Sequence, residues 1–242
     1  MQDKISRLNA LYSYWSQCTR CPLANERKNV VFGYGHPSAP VLIIGEAPGG
    51  HEDECGNPFV GDAGLLLDQY LAMVSANPEV RAVAGDKENF NPKLLRDLLR
   101  NEYFFTNIAA CHPPENRDPN LKEIEACMPR VRELIYLIDP VIILAVGKIA
   151  LTSLTGKKAL SITQVRGNLF DIEIPGRTVP LHYTVMALLH TSYLCRMNDF
   201  KQDTSLGAKT YEDFMRAHRI LDEYNKHHFG IDIPKRGIPR GQ

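Results

Sequence analysis

Apolar and polar positions alternate along the chain in two distinct patterns. Four short runs are rich in β-branched or aromatic residues, and such runs predict buried strands. They occupy residues 41–44, 103–108, 141–147 and 183–189. The segments between them place apolar residues three or four positions apart, as amphipathic helices do. Strands that alternate with helices favour an α/β fold, a three-layer α/β/α sandwich around a central, mostly parallel, four-stranded sheet.

Further elements are predicted outside these strands. The apolar residues of 3–17 share one helical face, and those of 209–227 repeat that spacing. Segment 121–138 has the same pattern, but it contains Pro129, which is expected to kink or restart the helix. Residues 161–174 are typical of a ribbon at the edge of the sheet.

Two stretches look like additions to a single domain. Residues 76–102 form a long insertion, in which Asn91 is a candidate N-cap and Pro92 the first helical residue. The insertion leads into the amino end of the second strand, so most of it is expected on the face away from the site. Residues 230–242 are rich in Pro, Gly and basic side chains and predict a loosely held tail after one domain, 1–229.

The stretch after the first strand is the strongest candidate for a site. The strand 41–44 runs into a loop rich in Gly, Pro and acidic residues, which contains Glu46, Glu52, Asp53 and Phe59. Ligands of open α/β sheets bind beyond the carboxyl ends of the strands, where this loop lies. The loop has neither the glycine pattern of a dinucleotide site nor the lysine of a P-loop. A loop that only turns the chain therefore remains an alternative.

Two more polar residues follow predicted strands. Asn107 ends the second strand, and His190 follows the fourth. Each has an ordinary explanation by itself, because Asn forms turns and a single His after a strand is usually structural. The carboxyl ends of parallel strands share one edge of a sheet, however, so both side chains are expected near Glu46 and Phe59. Their joint presence favours a catalytic site.

Composition narrows the class of protein. The 242 residues are 44% hydrophobic and 23% charged, which suffices for an ordinary globular core. The 28 basic and 28 acidic side chains balance, so a nucleic-acid surface would have to be a local patch. No apolar run has the length of a membrane span, and the polar N-terminus lacks a signal-peptide pattern. We therefore expect a soluble, cytoplasmic monomer without a membrane partner.

Six cysteines in such a chain indicate metal ligands or reduced thiols rather than disulfides. Cys18 and Cys21 form a C-x-x-C pair just after the first helix, whereas Cys111 and Cys127 are widely spaced. A redox pair, half of a zinc site, half of an iron–sulfur site and four buried thiols all remain open. Zinc ribbons usually have two C-x-x-C knuckles, so the wide second spacing favours an iron–sulfur cluster.

Several motifs occur in a characteristic order along the chain. They are CTRCPL, VVFGYG, GEAPGGHED, GNPFVGDAG, TNIAACHPPENRDP, EACMP and HTSYLCR. This series resembles the motifs of the family 4 uracil-DNA glycosylases, the iron–sulfur branch of that superfamily. The resemblance spans roughly residues 15–196.

The resemblance implies both the fold and the activity of that family. The protein would bind DNA that contains uracil, flip the base out and hydrolyse its N-glycosidic bond, which leaves an abasic site for base excision repair. It also implies a 4Fe–4S cluster with a structural role. The ligands carried over to this chain are Cys18, Cys21, Cys111 and Cys127.

The resemblance further implies which residues bind and cleave. The residues that would contact the base are Phe59, Asn107, Glu52, Gly45 and Ala47. Among them, Phe59 would stack on the base, Asn107 would read its edge, and Glu52 would close the space near its 5-position. His190 would bind O2 of the departing base, and Glu46 would stabilise the sugar cation and orient water.

The segment after His190 would enter the DNA. Tyr193 and Leu194 would fill the gap left by the flipped nucleotide, with Ser192 beside them and Arg196 on a phosphate. The alternative is that Tyr193 and Leu194 are core residues at the end of a strand. The chain departs from the family in having Thr191 where the family has Pro.

Two other functions stay open. A glycosylase of the same superfamily could remove another modified or damaged pyrimidine from DNA. A non-catalytic DNA-binding iron–sulfur module could keep the fold without the reaction.

Overall fold

A six-stranded sheet lies at the centre of the computed structural model, which describes residues 2–158, 160–175, 179–197 and 205–228. Its strands are β1 (Tyr34–Gly35), β2 (Val41–Gly45), β3 (Tyr103–Asn107), β4 (Ile142–Val146), β5 (Leu169–Ile174) and β6 (Leu181–Leu188). They follow the spatial order β1-β3-β2-β4-β6-β5. The four central strands run parallel, as predicted, and β1 and β5 add antiparallel edges. The predicted tail, 230–242, lies outside the described residues.

Helices cover both faces of the sheet. They are α1 (Gln2–Ser16), α2 (Gly50–Cys55), α3 (Asp62–Val74), α4 (Pro78–Gly85), α5 (Pro92–Leu99), α6 (Leu121–Ile138), α7 (Lys148–Thr155), α8 (Ile162–Val165), α9 (Thr191–Met197) and α10 (Leu206–His228). Short 3₁₀ turns occupy Pro22–Asn25 and Pro114–Asn116. In the described part of the chain, no helix combines the length and the apolar character needed to cross a bilayer.

Alternating side chains of the strands build two separate cores. Leu42 and Ile44 face the layer that contains α1, α6 and α7. Val41 and Ile43 face the opposite layer, which contains α3, α4, α5, α9 and α10. Because successive strand residues point to opposite faces, an all-apolar strand can pack on helices at both sides. The predicted three-layer α/β/α sandwich is confirmed.

Local signals in the sequence placed most boundaries within a residue or two. Asn91 caps α5, since its side-chain oxygen accepts a hydrogen bond from the Leu94 amide at 3.0 Å. The expected restart at Pro129 is wrong, because α6 is one helix from Leu121 to Ile138. Buried residues on both sides of Pro129, such as Cys127 and Val131, hold the helix against the sheet and outweigh one missing hydrogen bond.

Four short helices were not predicted. The insertion contains α4 in addition to α5, and the loop after β2 contains α2. The segment after His190, expected as a loop, is α9. Helices of about two turns or fewer show little periodicity, so their side chains do not distinguish them from loops. The ribbon expected at 161–174 contains α8 and the edge strand β5.

Candidate active site

A cavity of about 480 Å³ opens where β2, β3 and β6 end. Most of the site residues predicted from the sequence line this cavity. Those that line it are Glu46, Ala47, Glu52, Phe59, Asn107, His190, Ser192 and Arg196. The position beyond the carboxyl ends of parallel strands is the one expected for a ligand site in an open α/β sheet.

The loop after β2 is folded back on itself by Glu52. Its two carboxylate oxygens accept hydrogen bonds from the backbone amides of Gly49, at 2.7 Å, and of Phe59. Phe59 adopts a left-handed backbone with φ of 56°, and a Cβ at Gly64 would lie 1.9 Å from the Phe59 carbonyl oxygen. Glu52 therefore holds the loop that carries Phe59. Asp53 is buried one residue later and accepts hydrogen bonds from the Lys28 and Asn29 amides, which anchors α2.

Gly45 lies where the Phe59 ring and the Asn107 amide approach each other. A Cβ at Gly45 would lie 2.3 Å from Oδ1 of Asn107 and 2.6 Å from Cζ of Phe59. Asn107 is only 3% exposed, and its Nδ2 has no hydrogen-bond partner among the described residues. A buried donor without a partner costs about 1–3 kcal/mol, so this amide is prepared for an acceptor on a ligand.

Glu46 faces a second carboxylate that the sequence analysis did not select. Burial raises the pKa of Glu46 to about 7, and the neighbouring Asp118 carboxylate adds to the rise. A carboxyl group that titrates near neutral pH is well matched to proton transfer. Asp118 belongs to the TNIAACHPPENRDP motif, and its place near the end of that motif was the available signal.

The turn that carries Asp118 is held in an unusual conformation. Glu115 and Asn116 have left-handed backbones, with φ of 56° and 53°. Arg117 binds both carboxylate oxygens of Glu123, at 2.7 and 2.9 Å, and this pair fixes the end of the turn to the start of α6. The arrangement brings Asn116, Arg117 and Asp118 into the wall of the cavity.

His190 is held as a neutral imidazole. Its Nδ1 lies 3.2 Å from the Ser192 amide and 2.7 Å from the Ser192 hydroxyl. An amide can only donate, so Nδ1 is the acceptor and the ring proton is on Nε2, which remains free to donate. Burial and then the Arg196 charge lower the pKa of His190 to about 4. The ring also packs on Gly147, where a Cβ would lie 3.1 Å from Cδ2.

The structure corrects the interpretation of Leu194. It lies in α9 with 0% exposure and packs in the core with Leu67 and Leu71 of α3. A wedge residue must reach the DNA, and Leu194 could do so only by leaving the core. Helical spacing explains the error, because Thr191 and Leu194 are three residues apart and both point inward.

The other members of that segment have different surroundings. Ser192 binds His190, which indicates that it orients the ring. Tyr193 is partly buried, and Arg196 is exposed and lines the cavity. Tyr193 and Arg196 therefore remain in positions from which they can contact DNA.

The C-terminal end of the insertion reaches the Phe59 loop. Arg100 is 8% exposed, and its Nη2 donates to the Pro58 carbonyl oxygen at 2.9 Å. Its guanidinium also lies 5.8 Å from the Phe105 ring centroid, and that ring is 6.0 Å from the ring of Phe59. No residue of the insertion, 76–102, lines the cavity, although α4 and α5 belong to the same layer as Phe59. No sequence signal pointed to this contact.

The four predicted ligand cysteines line one small cavity beside the core that contains α1 and α6. They are Cys18, Cys21, Cys111 and Cys127. Burial raises the pKa of the Cys111 thiol to about 11, and Arg27 donates from Nη1 to its sulfur at 3.4 Å. Within the described residues, no three potential ligands converge closely enough for a single metal ion. A tetrahedral zinc needs sulfurs about 4 Å apart, whereas a larger iron–sulfur centre accepts thiolates spread around a cavity.

Comparison with known proteins agrees with this geometry. The model of the uracil DNA glycosylase superfamily matches residues 32–214. The chain is 37% identical to a type-4 uracil-DNA glycosylase of Pyrobaculum aerophilum over 180 residues, which are 73% of this chain and 81% of that protein. It is 35% identical to a type-4 uracil-DNA glycosylase of Thermotoga maritima over 207 residues, 85% of this chain and 90% of that protein.

A more distant relative adds to the same picture. A type-5 uracil-DNA glycosylase of Thermus thermophilus is 32% identical over 125 residues, which are 50% of this chain and 52% of that protein. The matched segment of the family model contains both the loop after β2 and His190. The chain belongs to the uracil-DNA glycosylase superfamily.

Proposed function

We propose that this protein is a uracil-DNA glycosylase. It binds DNA, takes uracil into the cavity at the ends of β2, β3 and β6, and hydrolyses the N-glycosidic bond to leave an abasic site for base excision repair. The observation that carries the proposal is the buried Asn107 amide, whose Nδ2 lacks a partner beside the Phe59 ring. Membership of the superfamily and the type-4 relatives support it.

Recognition follows from the hydrogen-bonding groups of Asn107. Its Nδ2 donates to O4 of uracil and its Oδ1 accepts from N3–H, whereas cytosine presents the opposite pattern. A fixed bidentate contact of this kind discriminates by about 1–3 kcal/mol. Stacking on Phe59 contributes about 1–3 kcal/mol for any base, which helps to offset the cost of flipping.

Cleavage uses Glu46 and His190. Their surroundings raise the pKa of Glu46 to about 7 and lower the pKa of His190 to about 4. Breaking the bond leaves negative charge on the base, and the neutral His190 donates a hydrogen bond from Nε2 to its O2. Positive charge develops on the sugar, where the Glu46 carboxylate stabilises it and orients the attacking water. Arg196 and Tyr193 contact the DNA near the extruded nucleotide.

The four cysteines hold a 4Fe–4S cluster in this proposal. The donor set fits, because four thiols line one cavity and Arg27 donates to one of the sulfurs. When bound, the cluster supplies a structural link between the segment after α1, the segment after β3 and α6. Purified holoprotein should be brown and contain iron and sulfide in equal amounts. Cys127→Ser should lose the colour, whereas Cys55→Ser, at an exposed position, should keep it.

A base-release assay tests the activity. Holoprotein is incubated with single- and double-stranded DNA that contains uracil, thymine, cytosine or a series of modified pyrimidines, and strand breaks are measured after heating in alkali. Breaks at uracil are expected. Breaks only at a modified pyrimidine would indicate another glycosylase of the superfamily, and intact DNA with a loaded cluster would favour a non-catalytic module.

Replacing Gly45 by Ala should block the uracil site. The new Cβ would overlap Asn107 Oδ1 and the Phe59 ring, and a displacement of about 1 Å at a reacting centre can cost 10²-fold in rate. We expect a loss of this size in single-turnover cleavage of uracil-DNA. Gly85→Ala is the matched control, because its Cβ would meet nothing within 4 Å. Equal rates for the two variants would contradict the placement of the base.

Replacing Arg100 by Met should weaken substrate binding through Phe59. Arg100 and Arg96 both face the buried Asp68, but only Arg100 binds the Pro58 carbonyl, and Arg96 lies 3.0 Å from Asp68. Both Met variants should lower the melting temperature, because each removes a cation from the same buried carboxylate. Only Arg100→Met should raise KM, because only this variant loosens the loop that carries Phe59. We expect an increase of roughly 10-fold, which corresponds to losing part of the stacking of Phe59 on the base. A comparable KM increase in Arg96→Met would assign the effect to stability alone.

A further inference from the structure

Among the described side chains that are less than 2% exposed, Arg130 is the largest, with 1% exposure. From α6 its Nη1 donates to the Phe32 carbonyl oxygen at 2.7 Å and to Thr106 Oγ1 at 2.9 Å. Its Nη2 donates to the carbonyl oxygens of Ile108, at 3.1 Å, and of Asn107. The guanidinium therefore binds the backbone at the carboxyl end of β3, where the side chain of Asn107 enters the active-site cavity.

The same side chain borders the four-cysteine cavity. Arg130 lies three residues after Cys127 on α6, so both point from one face of the helix towards that cavity. The four cysteines line the same cavity as the guanidinium, so thiolates at these positions would lie close to its positive charge. Among the described residues, no carboxylate lies within ion-pair distance of Arg130.

In this arrangement, the free energy of burying the guanidinium charge depends on whether the neighbouring cysteine sulfurs are thiolates or neutral thiols. An arginine stays protonated in proteins, and a buried cation is strongly unfavourable without an opposing charge. Thiolates that ligate a metal centre provide that charge, whereas neutral thiols do not. Carbonyl oxygens accept hydrogen bonds from the guanidinium but carry no net charge, so they cannot replace the thiolates.

We propose that Arg130 is a positioning residue, which couples occupancy of the four-cysteine cavity to the orientation of Asn107. The proposal rests on the proposed function, because it uses the cluster and the reading of uracil by Asn107. With thiolates in place, the guanidinium is held between sulfur and carbonyl groups, and the end of β3 is fixed. Loss of the metal centre removes the opposing charge and releases the Asn107 and Ile108 carbonyl groups.

Arg27 offers a matched control. Arg27 also lines the four-cysteine cavity, and its Nη1 donates to the sulfur of Cys111, but it has no contact with β3 in the described hydrogen bonds. It is also less buried than Arg130. Arg27→Met should therefore weaken retention of the cluster, but the protein that still carries the cluster should show no change at Asn107. Arg130→Met should affect both, and Arg130→Lys, which keeps the charge but cannot bind two carbonyl groups as a fork, should retain the cluster and still loosen β3.

Hydrogen exchange measures the coupling without any glycosylase activity. The amides of Ile108 and Ala109 bond to the carbonyl oxygens of Gly45 and Glu46, both at 2.9 Å, and thus report on the end of β3. We expect exchange at these two amides to be about 10-fold faster in Arg130→Lys holoprotein and in wild-type protein stripped of its cluster. Amides of the β5–β6 pair serve as the internal reference. Removing the cluster from the Arg130→Lys variant should not increase the exchange at these two amides any further.

The ratio of single-turnover rates on uracil- and cytosine-containing DNA gives a second readout. This ratio should fall in cluster-loaded Arg130→Lys and stay unchanged in cluster-loaded Arg27→Met. Unchanged exchange at Ile108 and Ala109 in Arg130→Lys, or equal effects in Arg27→Met protein that retains the cluster, would overturn the coupling. Failure of the wild-type protein to release uracil would instead overturn the proposed function and leave the exchange result interpretable.

Discussion

Replacing Glu46 by Gln is expected to slow the release of uracil by about 10²–10⁴-fold, the range for loss of a positioned acid–base group. Gln keeps the size and polarity of the side chain but cannot carry the negative charge that faces the developing sugar cation. Single-turnover cleavage of uracil-DNA measures the effect. Glu54→Gln is the control, because Glu54 lies on the nearby helix α2 and pairs with Lys28 at the surface.

The pH profile distinguishes this role from a structural one. Burial and Asp118 raise the pKa of Glu46 to about 7, so the wild-type rate should increase with pH up to about that value and then level off. Asp118→Asn removes a negative neighbour, which lowers the pKa of Glu46 and shifts the rising limb to lower pH. A rising limb that persists in Glu46→Gln would assign it to another group.

Glu46→Gln should lower the activity but raise the stability of the protein at alkaline pH. The pKa of Glu46 is higher in the folded protein than its ordinary value of 4.5, so its contribution to the free energy of unfolding is greatest below that pH and is lost as the pH rises through about 7. Glu46→Gln should therefore melt at a higher temperature than wild type at pH 8, and the difference should shrink towards pH 4. Equal melting temperatures at pH 8 would contradict the raised pKa.

Replacing His190 by Ala is expected to reduce the rate by about 10²–10³-fold, the usual cost of one donor to a developing anion. The loss arises because Nε2–H is the donor placed for O2 of the departing base. His182→Ala is the control, since His182 is an exposed histidine on β6, the strand that His190 follows. Ser192→Ala should give a smaller loss, because the Ser192 amide still orients Nδ1 at 3.2 Å.

The protonation state of His190 gives a second test. Burial and Arg196 lower its pKa to about 4, so the imidazole is neutral throughout the working pH range. No change in rate near pH 6.5 should be attributable to His190. Its contribution to the free energy of unfolding is present above the ordinary pKa of 6.5 and is lost as the pH falls towards 4, so His190→Ala should be less sensitive to acid than wild type.

The central fold was predictable because its signals are local. Apolar runs such as Val41–Gly45 and the helical spacing of α6 are visible within ten to twenty residues, and parallel strands then place Glu46, Asn107 and His190 at one edge of the sheet. The edge strand β1 was missed because it has two residues, which is too short for a pattern.

The site was only partly predictable, because several of its contacts join segments distant in sequence. The pairing of Glu46 with Asp118 depends on a left-handed turn at Glu115 and Asn116, for which no glycine marks the position. Leu194 was misassigned because its burial depends on where α9 packs rather than on its own sequence.

The sequence by itself determined the α/β/α architecture, the order of the strands along the chain, the resemblance to the superfamily and several of the residues that line the cavity, such as Glu46, Asn107 and His190. Only the tertiary structure decided how those residues are prepared: Glu46 near neutral pKa, His190 as a neutral donor, Asn107 with an unused amide. Arg130, between the cysteines and β3, also became visible only there. Periodicity and motifs report on neighbours along the chain, whereas burial, opposing charges and unsatisfied hydrogen bonds depend on groups that folding brings together.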